Sequence, residues 1–277
     1  MGTSASFTTP TGGDWSNLKR EITNRLGGDT AVTPDQIVAR TLAAAGGFGA
    51  ASASPAGRGA GGGGGSSGGG GPSDGGGTRT AGGRASVGRA IAGLGGFGAA
   101  LRDVGLDAAL ESFGLGELKD RTAAEVIARI AEHLAEDLPG TQGELLITAL
   151  REAIFEVAAL EGDRSYQNLE SSLQTFLARD GLEGLVETFL SRFVFNRVWF
   201  HIENHVQKKS VTAGDAQSLA SAVEGAIKGH VRNLVEEQKA AGRFDRLDWF
   251  GAAGHRYGED LAEELENRLR ALNPPSC

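Results

Sequence analysis

Apolar positions recur at steps of three and four along most of this 277-residue chain, the spacing that puts side chains on one face of an α-helix. Trp15, Leu18, Ile22 and Leu26 form the first stripe, with Asp14 placed to cap it and Gly27-Gly28 to stop it. Thr33-Pro34-Asp35-Gln36 is a capping box with proline at the first helical position; its helix carries Ile37, Val38 and Leu42 and ends at Gly46-Gly47. Thr122 to Glu125 opens a helix through Val126, Ile127, Ile130 and Leu134, and Thr141 to Glu144 reads as another box, followed by Leu145, Leu146, Leu150, Ile154 and Val157. A shorter helix is predicted over Tyr166–Ala178. The next, Leu182 to about Val206, is apolar on most sides, which marks a central helix packed by neighbours. Thr212 starts a long helix to about Ala241, and a last one runs from Gly258 to Leu272, ahead of Pro274-Pro275. Sustained strand alternation is missing throughout. The pattern predicts an all-α, multi-helix bundle.

Between the second helix and Ser86 the pattern gives way to Gly, Ser and Ala, including the run GGGGGSSGGGG. Nothing in such a stretch can repay the entropy of ordering it, so it reads as a disordered linker. The expected organisation is a flexible tail over 1–13, two short helices over 14–45, a linker over 46–85 and a helical domain over 86–277. The two short helices are too small to fold alone and are expected to dock on the bundle or on a partner. Val38 to Ala51 (VARTLAAAGGFGAA) echoes Val87 to Ala100 (VGRAIAGLGGFGAA); a local duplication and shared Ala/Gly bias both account for it.

The net charge of −8 comes from acidic residues spread through the helices, which argues against a broad phosphate-binding surface. Direct nucleic-acid binding is not expected. Cys277 is the only cysteine, which removes thiol catalysis and Cys-rich zinc sites. No stretch has the length and apolarity of a membrane span, and the N-terminus lacks the pattern of a secretory signal. A cytoplasmic protein is the expectation.

Candidate chemistry is sparse. His201 and His205 stand at i and i+4, a workable metal-ligand spacing, but Arg197 continues the same column and would repel a dication. A polar stripe on a central helix is the plainer reading; a helical metalloenzyme is the sharper one. Gly93 to Gly98 satisfies GxGxxG without a preceding strand, and Gly64 to Gly68 satisfies GxSxG inside the linker, so both fail their context. Glu259, Asp260, Glu263, Glu264 and Glu266 read as a solvated acidic face on the last helix. No catalytic constellation emerges and no cofactor or metal is expected; the chain reads as non-enzymatic.

The opening MGTSASF then becomes the candidate. Removal of Met1 before a small residue leaves the Gly2 α-amine, whose reference pKa of about 8 keeps a nucleophilic fraction at neutral pH. Thr3, Ser4 and Ser6 offer hydroxyls to an enclosing groove. Gly2 with Ser6 also fits a myristoylation pattern, which would make the chain a membrane-anchored adaptor in a eukaryotic host. An inert tip is the ordinary fate of any terminus.

MGTSASF with Pro10 behind it, the Gly-rich linker, and then GRASVGRAIAGL and GLDAALESFGLGELKDRTAAEVI together resemble the B component of the Qat anti-phage defence systems of bacteria. The resemblance implies a non-enzymatic subunit working with an ATPase, a QueC-like enzyme and a TatD-like nuclease. It further implies that Gly2 accepts a 7-deazaguanine nucleobase through an amide, with Thr3 and Ser4 as recognised neighbours. A structural adaptor or oligomeric scaffold with a dispensable tail is the competing reading.

Overall fold

A computed structural model describes residues 12–29, 32–48, 77–136, 140–160, 164–244 and 247–272. Among them the fold is all-α, with eight helices and one short 3-10 turn, Gly116–Leu118. The helices are α1 (Gly13–Leu26), α2 (Pro34–Ala44), α3 (Gly77–Ser112), α4 (Ala123–Leu134), α5 (Gly140–Ala158), α6 (Tyr166–Lys209), α7 (Ala213–Ala240) and α8 (Ala252–Ala271). Among the described residues, no helix is long and apolar enough to cross a membrane.

Helix starts follow local chemistry at three of the expected boxes. Thr33, Thr122 and Thr212 each accept a hydrogen bond from the backbone N–H three residues on, and Gln36, Glu125 and Asp215 reach back to the cap. Four expected starts are corrected. Asp14 lies in the first turn of α1, whose cap is Gly12, and α5 begins at Gly140, which puts Thr141 inside the helix. The last helix starts at Ala252 rather than Gly258, because the chain turns at Asp248, whose backbone carbonyl accepts from the Gly254 N–H at 3.0 Å. Likewise α3 begins at Gly77, ahead of Ser86.

α6 is the axis of the fold. It packs on α5, α7, α3, α1, α2 and α4, and its buried stripe runs from Tyr166 through Leu185, Phe189 and Phe193 to Val206. Gly181 interrupts it with φ +71°, a left-handed backbone that glycine adopts without a Cβ clash, so the two helices expected here are joined through a bend. α3 bends in the same way at Gly105, φ +84°. Glu170 secures that bend by accepting the Leu106 N–H at 3.0 Å, and the Tyr166 hydroxyl donates to Asp107 at 2.6 Å. α3 and α8 cross closely where Gly88 and Gly258 meet; a Cβ on Gly258 would collide with the Gly88 carbonyl.

α1 and α2 dock on this bundle. α1 packs on α2, α6 and α7, while α2 packs on α6, α7 and α8. Trp15, Leu18 and Ile22 of α1 and Ile37, Val38 and Leu42 of α2 are buried in the same core as the later helices.

Candidate functional site

Gly2, Thr3, Ser4 and Ser6 lie outside the described residues; the structure shows instead the base from which their segment leaves. That base is α1. Trp15 is buried at its start, and the Lys19 ammonium sits 5.4 Å above the indole ring. One turn on, the His205 Nε2 lies 2.8 Å from the Lys19 carbonyl and 3.0 Å from the Thr23 hydroxyl, tying α1 to α6. Arg40 of α2 pairs with Glu21 of α1, and the His230 Nε2 on α7 meets the Asp35 carboxylate at 2.9 Å.

After α2 the chain turns sharply. Gly46 and Gly47 have φ of +75° and +73°, and the Gly47 N–H reaches back to the Leu42 carbonyl at 2.7 Å, a Schellman-type stop. The Gly47 carbonyl then accepts from Arg197 Nε at 2.7 Å. Arg197 is buried, and that burial pulls its guanidinium down to about 10, a fall opposed by the charge of Glu266. Glu266 of α8 is fully buried. Its Oε2 accepts from Arg84 Nε at 3.0 Å and its Oε1 lies 3.0 Å from the Arg270 guanidinium. A Cβ on Gly47 would overlap this carboxylate, so the turn has room only for glycine. Beside it Phe48 is fully buried, edge-on to Phe193 at 5.3 Å. Gln142 of α5 completes the arrangement: its side-chain amide donates to the Phe48 carbonyl at 3.1 Å and to the Gly83 carbonyl of α3 at 3.0 Å.

Several residues singled out in the sequence serve this packing. His205 is a strut between α6 and α1. Burial and then the charge of Arg197 push the His201 imidazole down to about 4, so its ring is neutral near pH 7. The described residues contain no cluster of three or more metal-ligating side chains. The acidic face expected on α8 is only partly solvated. Glu266 is the centre of a buried charge cluster, Glu263 pairs with Arg84, and Glu264 pairs with Arg268 and accepts from Gln238. The glycines of the GxGxxG match lie within a helix, where Gly95 underlies the Trp249 ring and Gly93 and Gly98 meet Leu134 and Leu182. The GxSxG match lies outside the described residues. Nothing in the sequence marked Glu266, Arg197 and Gln142 as neighbours; they come from three helices and meet only in the fold.

The region from α3 into the α7–α8 connection, residues 76–246, matches the family model described as Qat anti-phage system associated protein QatB. The chain belongs to the QatB family. The match covers more than half of the sequence and includes the whole of α6, the axis of the bundle, together with Gln142 and Arg197. The QatB match starts after α1 and α2, so the helical pair and the tail lie outside it. No curated protein and no solved structure matches the chain.

Proposed function

We propose that this chain is the non-enzymatic subunit of a Qat anti-phage system, and that it offers the Gly2 α-amine to a QueC-like enzyme. That enzyme activates the carboxylate of a 7-deazaguanine with ATP. The neutral amine then attacks the activated carbonyl carbon, a C–N amide bond forms, the activating group departs with the acyl C–O electron pair, and the amine gives up a proton. Thr3, Ser4 and Ser6 supply the hydroxyls by which the enzyme's groove recognises the segment. The bundle binds the ATPase of the same system, and a TatD-like nuclease completes the set. The observation that carries this reading is membership of the QatB family in a chain that opens MGTSASF. It is supported by the use of the polar groups of the bundle: His205, His230, Arg197, Gln142 and Glu266 all hold helices or turns together.

The test is an intact mass and an N-terminal peptide map of the protein coexpressed with the neighbouring operon genes. The expected result is loss of Met1 and a mass increment on Gly2 equal to a 7-deazaguanine acyl group. An unmodified Gly2 in cells that are protected from phage would refute it.

A further inference from the structure

The 28 residues between Phe48 and Gly77 suggest, by composition, a tether that lets the N-terminal helices roam. The geometry points to a different role. We infer that the α1–α2 pair is a fixed platform clamped into the bundle, so that the reach of Gly2 is set by the segment before Gly12 and not by the Gly-rich stretch. This rests on the reading of Gly2 as the acceptor and specifies how that site is presented.

Three observations carry the inference. The Phe48 and Gly83 carbonyls accept from one and the same Gln142 amide nitrogen, so one side chain of α5 pins the exit after α2 to the second turn of α3. The exit is locked from two further helices, by Arg197 on the Gly47 carbonyl and by the Glu266 carboxylate packed against Gly47. The far end of the pair is held separately, through Asp35 to His230 and through Lys19 and Thr23 to His205. A connection whose upstream end is already pinned to the bundle adds no reach to what lies before it. From Gly12, ten residue steps at full extension carry Gly2 about 35 Å at most. An enzyme that takes up Gly2 must therefore dock on this protein within that distance of the start of α1.

Two measurements on the full-length protein decide the matter. First, a protease site inserted between Ser66 and Ser67 is cleaved and the product is run on native size exclusion. The two fragments should co-elute as one species and unfold together; release of the N-terminal fragment would overturn the inference. Second, the extent of Gly2 modification on coexpression is compared for deletion of residues 58–71 and deletion of residues 8–11. Removing 58–71 should leave it unchanged, whereas removing 8–11 should lower it at least tenfold. The opposite ranking, or no effect of the 8–11 deletion, would overturn the inference. If Gly2 of the wild type is unmodified, the reading of Gly2 as acceptor fails, while co-elution still decides whether the platform is fixed.

Discussion

Glu266 shows how far a residue's role can depart from its local pattern. Its neighbours on α8, Glu259, Asp260 and Glu263, are exposed, yet Glu266 is buried among the guanidinium groups of Arg84 and Arg270, with Arg197 close enough to feel its charge. Removing one member of a buried ionic cluster leaves the others uncompensated. Glu266→Ala should therefore cost about 3 kcal/mol in urea unfolding, with the midpoint falling and the slope unchanged. At Gly47 two penalties coincide, a positive φ and a Cβ that would enter the Glu266 carboxylate. Gly47→Ala should cost about 2 kcal/mol or more by the same assay. His201 gives a pH signature. The fold holds the neutral ring, with a pKa of about 4 against 6.5 for the unfolded chain, so the unfolded state binds the extra proton as pH falls. His201 by itself should lower stability by at most about 2 kcal/mol between pH 6.5 and 5. The carboxylates whose affinity the fold lowers (Glu125, Glu156 and Glu237) titrate below that window. Burial lowers His205 as well and adds a decline of the same sign, so His201→Gln should reduce the slope between pH 6.5 and 5 in thermal melts without abolishing it.

At the scale of elements, α3 and the connection into α8 depend on each other. Trp249 is buried against Gly95, with Phe244 and Tyr257 around it at ring distances of 5.9 and 5.8 Å. Phe250, next in the chain, stays largely exposed over Gly96 and stacks obliquely on Phe113 at 5.7 Å. Trp249→Ala should open a cavity costing about 3–5 kcal/mol, whereas Phe250→Ala should cost much less, as a comparison of chemical denaturation midpoints would show. The helices themselves were legible in advance. Capping boxes and the 3.6-residue stripe locate the starts of α2, α4 and α7, because those signals are local. The starts of α5 and α8 differ from the local reading: Thr141 lies inside α5, and α8, which has no side-chain cap, begins where the turn at Asp248 ends.

For the whole molecule, the division between bundle and N-terminal segment makes a functional prediction. Deleting residues 2–7 should abolish protection against phage and leave the melting temperature of the bundle unchanged, since no described core residue precedes Trp15. Survival of protection would favour the adaptor reading. The candidate site was only half legible. The character of MGTSASF could be read directly, but the base that holds it could not, because His205, Gln142, Arg197 and Glu266 are separated from their partners by long stretches of chain.

The echo between Val38–Ala51 and Val87–Ala100 separates what each level decides. Both copies place an aromatic after a Gly-Gly pair, and Phe48 and Phe97 are both buried. Apolar periodicity and caps alone determined that this chain is helical and where most of its helices run. The backbone at the two Gly-Gly pairs was left open, because glycine tolerates helical and left-handed conformations alike. Tertiary structure chose between them. Gly95-Gly96 stays helical with Trp249 and Phe250 packed over it, while Gly46-Gly47 turns at positive φ where Arg197 and Glu266 receive it. That second choice fixes the N-terminal helices on the bundle.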